Sequence, residues 1–128
     1  MDNKELLIIA KKAKNYAYSP YSKFQVGAAL LTKDDKIFMG CNVENSSYGA
    51  TCCAERTAIY KAISEGSSKF EKIAVVSTSE DSTYPCGICR QVLMEFMPEG
   101  EIILENALGE IHTYKVADLL PHSFSLEV

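Results

Sequence analysis

At 128 residues, with 47 % hydrophobic and 23 % charged residues, the chain has ordinary globular composition with no sign of disorder, and the length of one domain, which predicts a single domain over residues 1–128. Its net charge of −4, with Lys and Arg scattered, offers no basic groove for a nucleic acid polymer; the densest basic run is Lys11, Lys12 and Lys14. The amino terminus is too acidic, and its apolar run too short, for a secretory signal, and no stretch approaches ~18 apolar residues, so a cytoplasmic protein without a membrane partner is expected.

In chain order, Leu6, Leu7, Ala10, Ala13 and Ala17 recur at helical spacing and predict an amphipathic helix over residues 4–17, broken by Ser19-Pro20-Tyr21-Ser22. Two β-prone runs, 25–31 and 37–42, flank Lys33-Asp34-Asp35-Lys36 and read as a hairpin. Residues 44–50, rich in Ser, Asn and Gly, read as a loop. A second helix is expected over 53–65, ended by Gly66 where a left-handed residue is needed. The apolar run 73–77 suits a buried strand. After a polar connection, Ile88, Val92 and Phe96 mark a helix over 86–96, stopped by Pro98-Glu99-Gly100. Two further strands, 102–104 and 111–115, precede a short helix over 117–120 closed by Pro121. Strands covered by intervening helices predict a layered α/β domain with a mixed sheet, its first pair antiparallel and its later strands partly parallel.

The five cysteines are Cys41, Cys52, Cys53, Cys86 and Cys89, and in a reducing compartment they are thiols or metal ligands. Cys86 and Cys89 lie three apart at a predicted helix start, on one face of the first turn. Free backbone N–H groups and the helix dipole favour thiolates there. Cys53 opens another helix and completes a set of three. Three protein ligands and one open position describe a catalytic zinc, whose bound water has a pKa near ~7. Two other readings stand beside it: a thioredoxin-type redox pair, and a structural zinc with Cys52 or Cys41 as fourth ligand. Glu55 separates them. Zinc deaminases carry a glutamate that is not a ligand two residues after the first ligand, ahead of Pro-Cys-x-x-Cys. In mid-helix such residues face apart, so convergence requires Cys53 at the cap and Glu55 in an irregular first turn.

The pattern extends further. Tyr21-Ser22-Lys23-Phe24-Gln25-Val26-Gly27-Ala28-Ala29-Leu30, Asn42-Val43-Glu44-Asn45, Ser47-Tyr48-Gly49, Cys53-Ala54-Glu55-Arg56, Pro85-Cys86-Gly87-Ile88-Cys89-Arg90-Gln91 and Leu119-Leu120-Pro121 follow one another in this order. In these motifs the chain resembles the small, homotetrameric cytidine deaminases, nearly throughout from Tyr16 onward. The resemblance implies a three-layer α-β-α fold with a mixed five-stranded sheet, and one Zn²⁺ per chain on Cys53, Cys86 and Cys89. It implies a free nucleoside as substrate, and sites shared between subunits. The reaction it implies is hydrolytic deamination of cytidine and deoxycytidine at C4, with Glu55 shuttling protons from the zinc-bound water to N3 and the leaving amino group.

The same resemblance makes Asn42 and Glu44 the pair that grips the ribose and Phe24 the aromatic packed against the pyrimidine. Backbone near Ala54 reads the base edge, and Ser46, where the family more often has alanine, makes a largely backbone contact. Tyr48 and Phe124 are placed at a neighbour's site. Read alone, Asn42 is more readily a turn residue, Glu44 a solvated charge and Phe24 a core residue, while Phe124 is equally cover for its own core. Arg56, three residues after Cys53, is suited to donate to sulfur and withdraw the excess charge of three thiolates on Zn²⁺; the alternative is a surface arginine. His112 and His122 lie outside any ligand spacing. Rival readings are a deaminase of another cytosine compound (an aminonucleoside antibiotic, a nucleotide or RNA) and a non-catalytic zinc module.

Overall fold

A strand buried along its whole length needs cover on both faces, and Val26–Thr32 (β1) is such a strand. The computed structural model, which describes residues 1–126, supplies both layers. Helix α1 (Asn3–Lys14) lies on one face, where Leu6, Leu7 and Ala10 pack with Ala29, Leu31, Ala74, Val76 and Ile103. Helices α2 (Ala54–Ser64) and α3 (Gly87–Phe96) line the other, where Ala58, Ile59 and Leu93 pack with Ala28, Leu30, Ile73, Val75, Ile102 and Leu104. The alternation along each strand sends odd and even residues to opposite layers.

The remaining strands are β2 (Ile37–Cys41), β3 (Phe70–Ser77), β4 (Glu101–Glu105) and β5 (Ile111–Lys115), in the sheet order β2-β1-β3-β4-β5. Only β3 and β4 run parallel, joined through α3; the other pairings are antiparallel. This is the expected three-layer, mixed five-stranded α/β fold.

Boundaries differ from the sequence reading for local reasons. Helix α1 ends at Lys14 instead of residue 17, because Tyr16 and Ala17 donate to Ala13 and Lys14, three residues back, and tighten the chain into a turn. Strand β3 starts at Phe70, three residues earlier than its apolar run, since buried Phe70 still pairs with Thr32 across a bulge. The last helix is a single 3-10 turn, Val116–Leu119, because Pro121 drives Leu120 out of the helical region. Gly66 does take the left-handed conformation after α2, at φ 93°.

One close approach fixes α2 over the sheet. A Cβ at Gly40 would lie 2.4 Å from the Ala54 carbonyl oxygen and 2.5 Å from the Ala58 nitrogen. The first turn of α2 therefore rests directly on β2, which a side chain at Gly40 would prevent. That turn carries Cys53, Glu55 and Arg56.

Candidate active site

Two helix starts converge above one end of the sheet. Cys53 is the N-cap of α2 and Cys86 the N-cap of α3, both with extended backbone; Cys89 is the third residue of α3 and is buried. The three sulfurs lie within 4.8 Å of one another, with Cys53 Sγ 3.7 Å from Cys86 Sγ. Zinc–sulfur bonds of ~2.3 Å in a tetrahedron separate their sulfurs by ~3.8 Å, so this donor set fits a zinc ion. Thiolate is the right chemistry for it, and the Cys89 N–H donates to Cys86 Sγ at 3.4 Å. Cys53, Cys86 and Cys89 are the zinc ligands.

No fourth protein ligand joins them: neither Cys41 nor Cys52 belongs to the cluster among the described residues. Cys52 is held in a backbone bridge to Val43, each N–H donating to the other's carbonyl at 2.9 Å. The four-cysteine structural reading thus falls, and three ligands leave a coordination position for chemistry. His112 and His122 also stand apart from it.

Charge is drawn toward the cluster. Arg56 Nη2 donates to Cys53 Sγ and to the Thr51 carbonyl, each at 3.4 Å. The Cys53 thiol is pulled down to about 5, first by the hydrogen bond from Cys89 and then by Arg56. Cys89 is pushed up by the same sharing of a proton and by burial. Arg56 is thus no surface arginine; its guanidinium is held to a thiolate and its own pKa rises in response.

Glu55, the second residue of α2, is only 4 % exposed. Burial pushes its carboxyl up to about 7, and the nearby Cys53 thiolate adds to the rise. A carboxyl poised there can both take and give a proton near neutral pH. The expected irregular turn is absent: α2 is a regular helix from Ala54, and the extended backbone at the Cys53 cap alone redirects its side chain.

The Val43–Cys52 bridge also brings the segment after β2 alongside the start of α2. On that segment Asn42 is buried; its Oδ1 accepts the Val26 N–H and its Nδ2 donates to the Phe24 carbonyl, both at 2.8 Å. The Glu44 carboxylate is not simply solvated. Its Oε1 accepts the Tyr21 and Ser22 N–H groups at 3.0 and 3.2 Å, and its Oε2 accepts the Ser22 hydroxyl. Phe24 is half-buried against the core side of the sheet, and Ser46 Oγ lies 2.5 Å from the Tyr21 hydroxyl. Ala54 is fully buried at the first position of α2.

Tyr48 and Phe124 are not brought to this cluster within one chain: they are 84 % and 68 % exposed, and the Phe124 carbonyl accepts from Gln91 Nε2 at 3.0 Å. Sequence reasoning passed over two residues that build the site. Arg90 Nε donates to the Pro85 carbonyl at 2.8 Å and its Nη1 to the Leu119 carbonyl at 2.9 Å, pinning the Cys86 turn to the carboxy-terminal turn. Its place directly after Cys89 was the available signal. Gly40 was the other, with no signal beyond a glycine inside a strand.

Comparison with known proteins agrees with this geometry. Residues 1–105 match the family described as the cytidine and deoxycytidylate deaminase zinc-binding region. A cytidine deaminase of Sporosarcina psychrophila is 51 % identical over 131 residues, covering 99 % of this chain and 94 % of that one. One from Halalkalibacterium halodurans is 48 % identical over 99 % of this chain and 97 % of its own. The crystal structure of cytidine deaminase from Burkholderia pseudomallei superposes with a TM-score of 0.94 at 47 % identity, covering 97 % of this chain and 100 % of that one. The chain belongs to the cytidine and deoxycytidylate deaminase zinc-binding family.

Proposed function

We propose that this chain is a zinc-dependent cytidine deaminase that hydrolyses the C4 amino group of free cytidine and deoxycytidine, consuming water and releasing ammonia, as in pyrimidine salvage. The observation that carries this reading is the buried Glu55 carboxyl beside three thiolates that leave one zinc position open. Zinc held there supplies Lewis acidity, making a water deprotonatable at neutral pH. Glu55 accepts that water's proton and delivers it to N3 of the pyrimidine. The water oxygen bonds to C4 as N3 is protonated. Glu55 then takes the proton of the new C4 hydroxyl and passes it to the amino nitrogen, so that the C4–N bond breaks, ammonia leaves instead of an amide anion, and a C4 carbonyl remains. Arg56, drawing on Cys53 Sγ, tempers the negative charge of the ligand set.

Asn42 and Glu44 hold the sugar in this reading, Phe24 faces the ring, and Ala54 and Ser46 contribute main-chain contacts. Glu44 also disfavours a phosphate by like charge, so nucleosides are favoured over nucleotides. The test is a substrate panel followed by ultraviolet absorbance. Cytidine and deoxycytidine should turn over, while cytidylate, bare cytosine and an RNA oligomer should be slower by at least about tenfold in kcat/KM. Preference for the nucleotide or the oligomer would overturn the assignment.

Completion of the site by a neighbouring chain of a homotetramer belongs to the same reading. A deaminase site must exclude bulk water, yet Cys86 is exposed, and Tyr48 and Phe124 stand out from the surface. Deleting residues 123–128 should lower nucleoside affinity sharply while zinc content stays at one per chain. Mixing that truncated form with a Glu55→Gln chain, under subunit exchange, should restore some activity. A fully active monomer in sedimentation, or mixing that restores nothing, would refute the shared site. We place the protein in the cytoplasm, where its thiols stay reduced, as one domain over residues 1–128; among the described residues no helix is long and apolar enough to cross a membrane.

A further inference from the structure

The Glu44 carboxylate is more heavily engaged than a sugar-gripping side chain needs to be. Its Oε1 spends both lone pairs on the N–H groups of Tyr21 and Ser22, and its Oε2 spends one on the Ser22 hydroxyl. A single lone pair, on Oε2, remains. Its direction is set by the other three contacts, because a carboxylate is planar and rotates as a unit.

Ser22 supplies two of those contacts, one from its main chain and one from its side chain. The hydroxyl has no freedom to turn away: Ser22 Oγ accepts the Phe24 N–H at 3.0 Å, which leaves its own proton directed at Glu44. The turn that makes this possible puts Lys23, between them, at φ 62°, in the left-handed region that disfavours a non-glycine residue. Lys23 N–H donates to the Ser19 carbonyl at 3.0 Å, closing the turn. The Phe24 carbonyl is in turn held by Asn42 Nδ2. The loop is thus tied at both ends to the two residues read as holding the ribose.

We propose that Ser22 is a positioning residue for nucleoside binding, whose hydroxyl aims the one free lone pair of Glu44 at a single hydroxyl of the sugar. This rests on the reading of Glu44 as a ribose contact. Ser22 touches no reacting atom, so its loss weakens substrate capture and leaves the chemistry at Glu55 intact.

The test is steady-state kinetics of the zinc-loaded enzyme on cytidine and on 2′,3′-dideoxycytidine, which lacks both ring hydroxyls. Ser22→Ala should raise KM for cytidine by about tenfold, the size of one lost hydrogen bond to a charged group, with kcat within about twofold. Ser22→Thr, which keeps the hydroxyl, should recover most of the loss. On the dideoxynucleoside Ser22→Ala should change KM by less than about twofold, and in a Glu44→Ala background it should add nothing further. A fall in kcat at unchanged KM, or a full Ser22 penalty that persists without Glu44 or without the sugar hydroxyls, overturns the proposal while the ribose reading stands. A cytidine KM unchanged by Glu44→Ala overturns both.

Discussion

Replacing Glu55 with glutamine should leave one zinc per chain and measurable cytidine binding, and lower turnover by at least about 10²–10⁴-fold. Glutamine fills the volume of the buried side chain and keeps a polar group where Glu55 is 4 % exposed, so neither the core nor the adjacent cap is disturbed. What it cannot do is take a proton from water and return it. One group serves both N3 and the amino nitrogen, so its removal touches more than one transfer, and the loss belongs in kcat. Zinc analysis, single-turnover kinetics and binding of a non-hydrolysable nucleoside separate the effects. Turnover within a few-fold of the parent would remove Glu55 from the mechanism.

Cys86→Ala and Cys89→Ala should each lose the metal and, with it, essentially all activity. Each leaves two thiolates, and no cysteine outside the set lies within reach to replace the third. The fold should survive, because the two hydrophobic clusters that cover the sheet faces are built from Leu, Ile, Val, Ala, Phe and Met and owe nothing to the ion. Far-ultraviolet circular dichroism should therefore stay native while zinc content falls to near zero. Cys53→Ala should behave alike. Cys52 should not stand in, since it lies outside the cluster and its backbone is locked to Val43. Full zinc occupancy in the Cys53 variant would show that another residue is the true ligand.

The order of elements was legible in the sequence because its signals are local. Helical spacing of Leu6, Leu7 and Ala10, turn chemistry at residues 33–36 and Gly66, and Pro98-Glu99-Gly100 all act over a few residues. The cysteine cluster was legible because spacing and helix starts carry it: Cys86 and Cys89 share one turn, and Cys53 caps another. What escaped depends on tertiary contact. The extension of β3 back to Phe70 is made by pairing across a bulge with Thr32, which no run of residues announces. The engagement of Glu44 by residues 21 and 22 spans more than twenty positions of chain, and from sequence alone the side chain is more readily a free charge. The burial of Glu55 escaped too, and the first turn of α2 that carries it is seated on Gly40, again a contact between distant segments.

One zinc on Cys53, Cys86 and Cys89 makes this chain a cytidine deaminase. The most direct test strips the metal with a chelator, then titrates zinc back while following loss of cytidine absorbance. Activity should begin near zero, rise in proportion to added zinc and level off at one equivalent per chain. Undiminished deamination in the stripped protein, or zinc that binds at one equivalent and restores no turnover, would show that the ion on these cysteines does not drive the reaction.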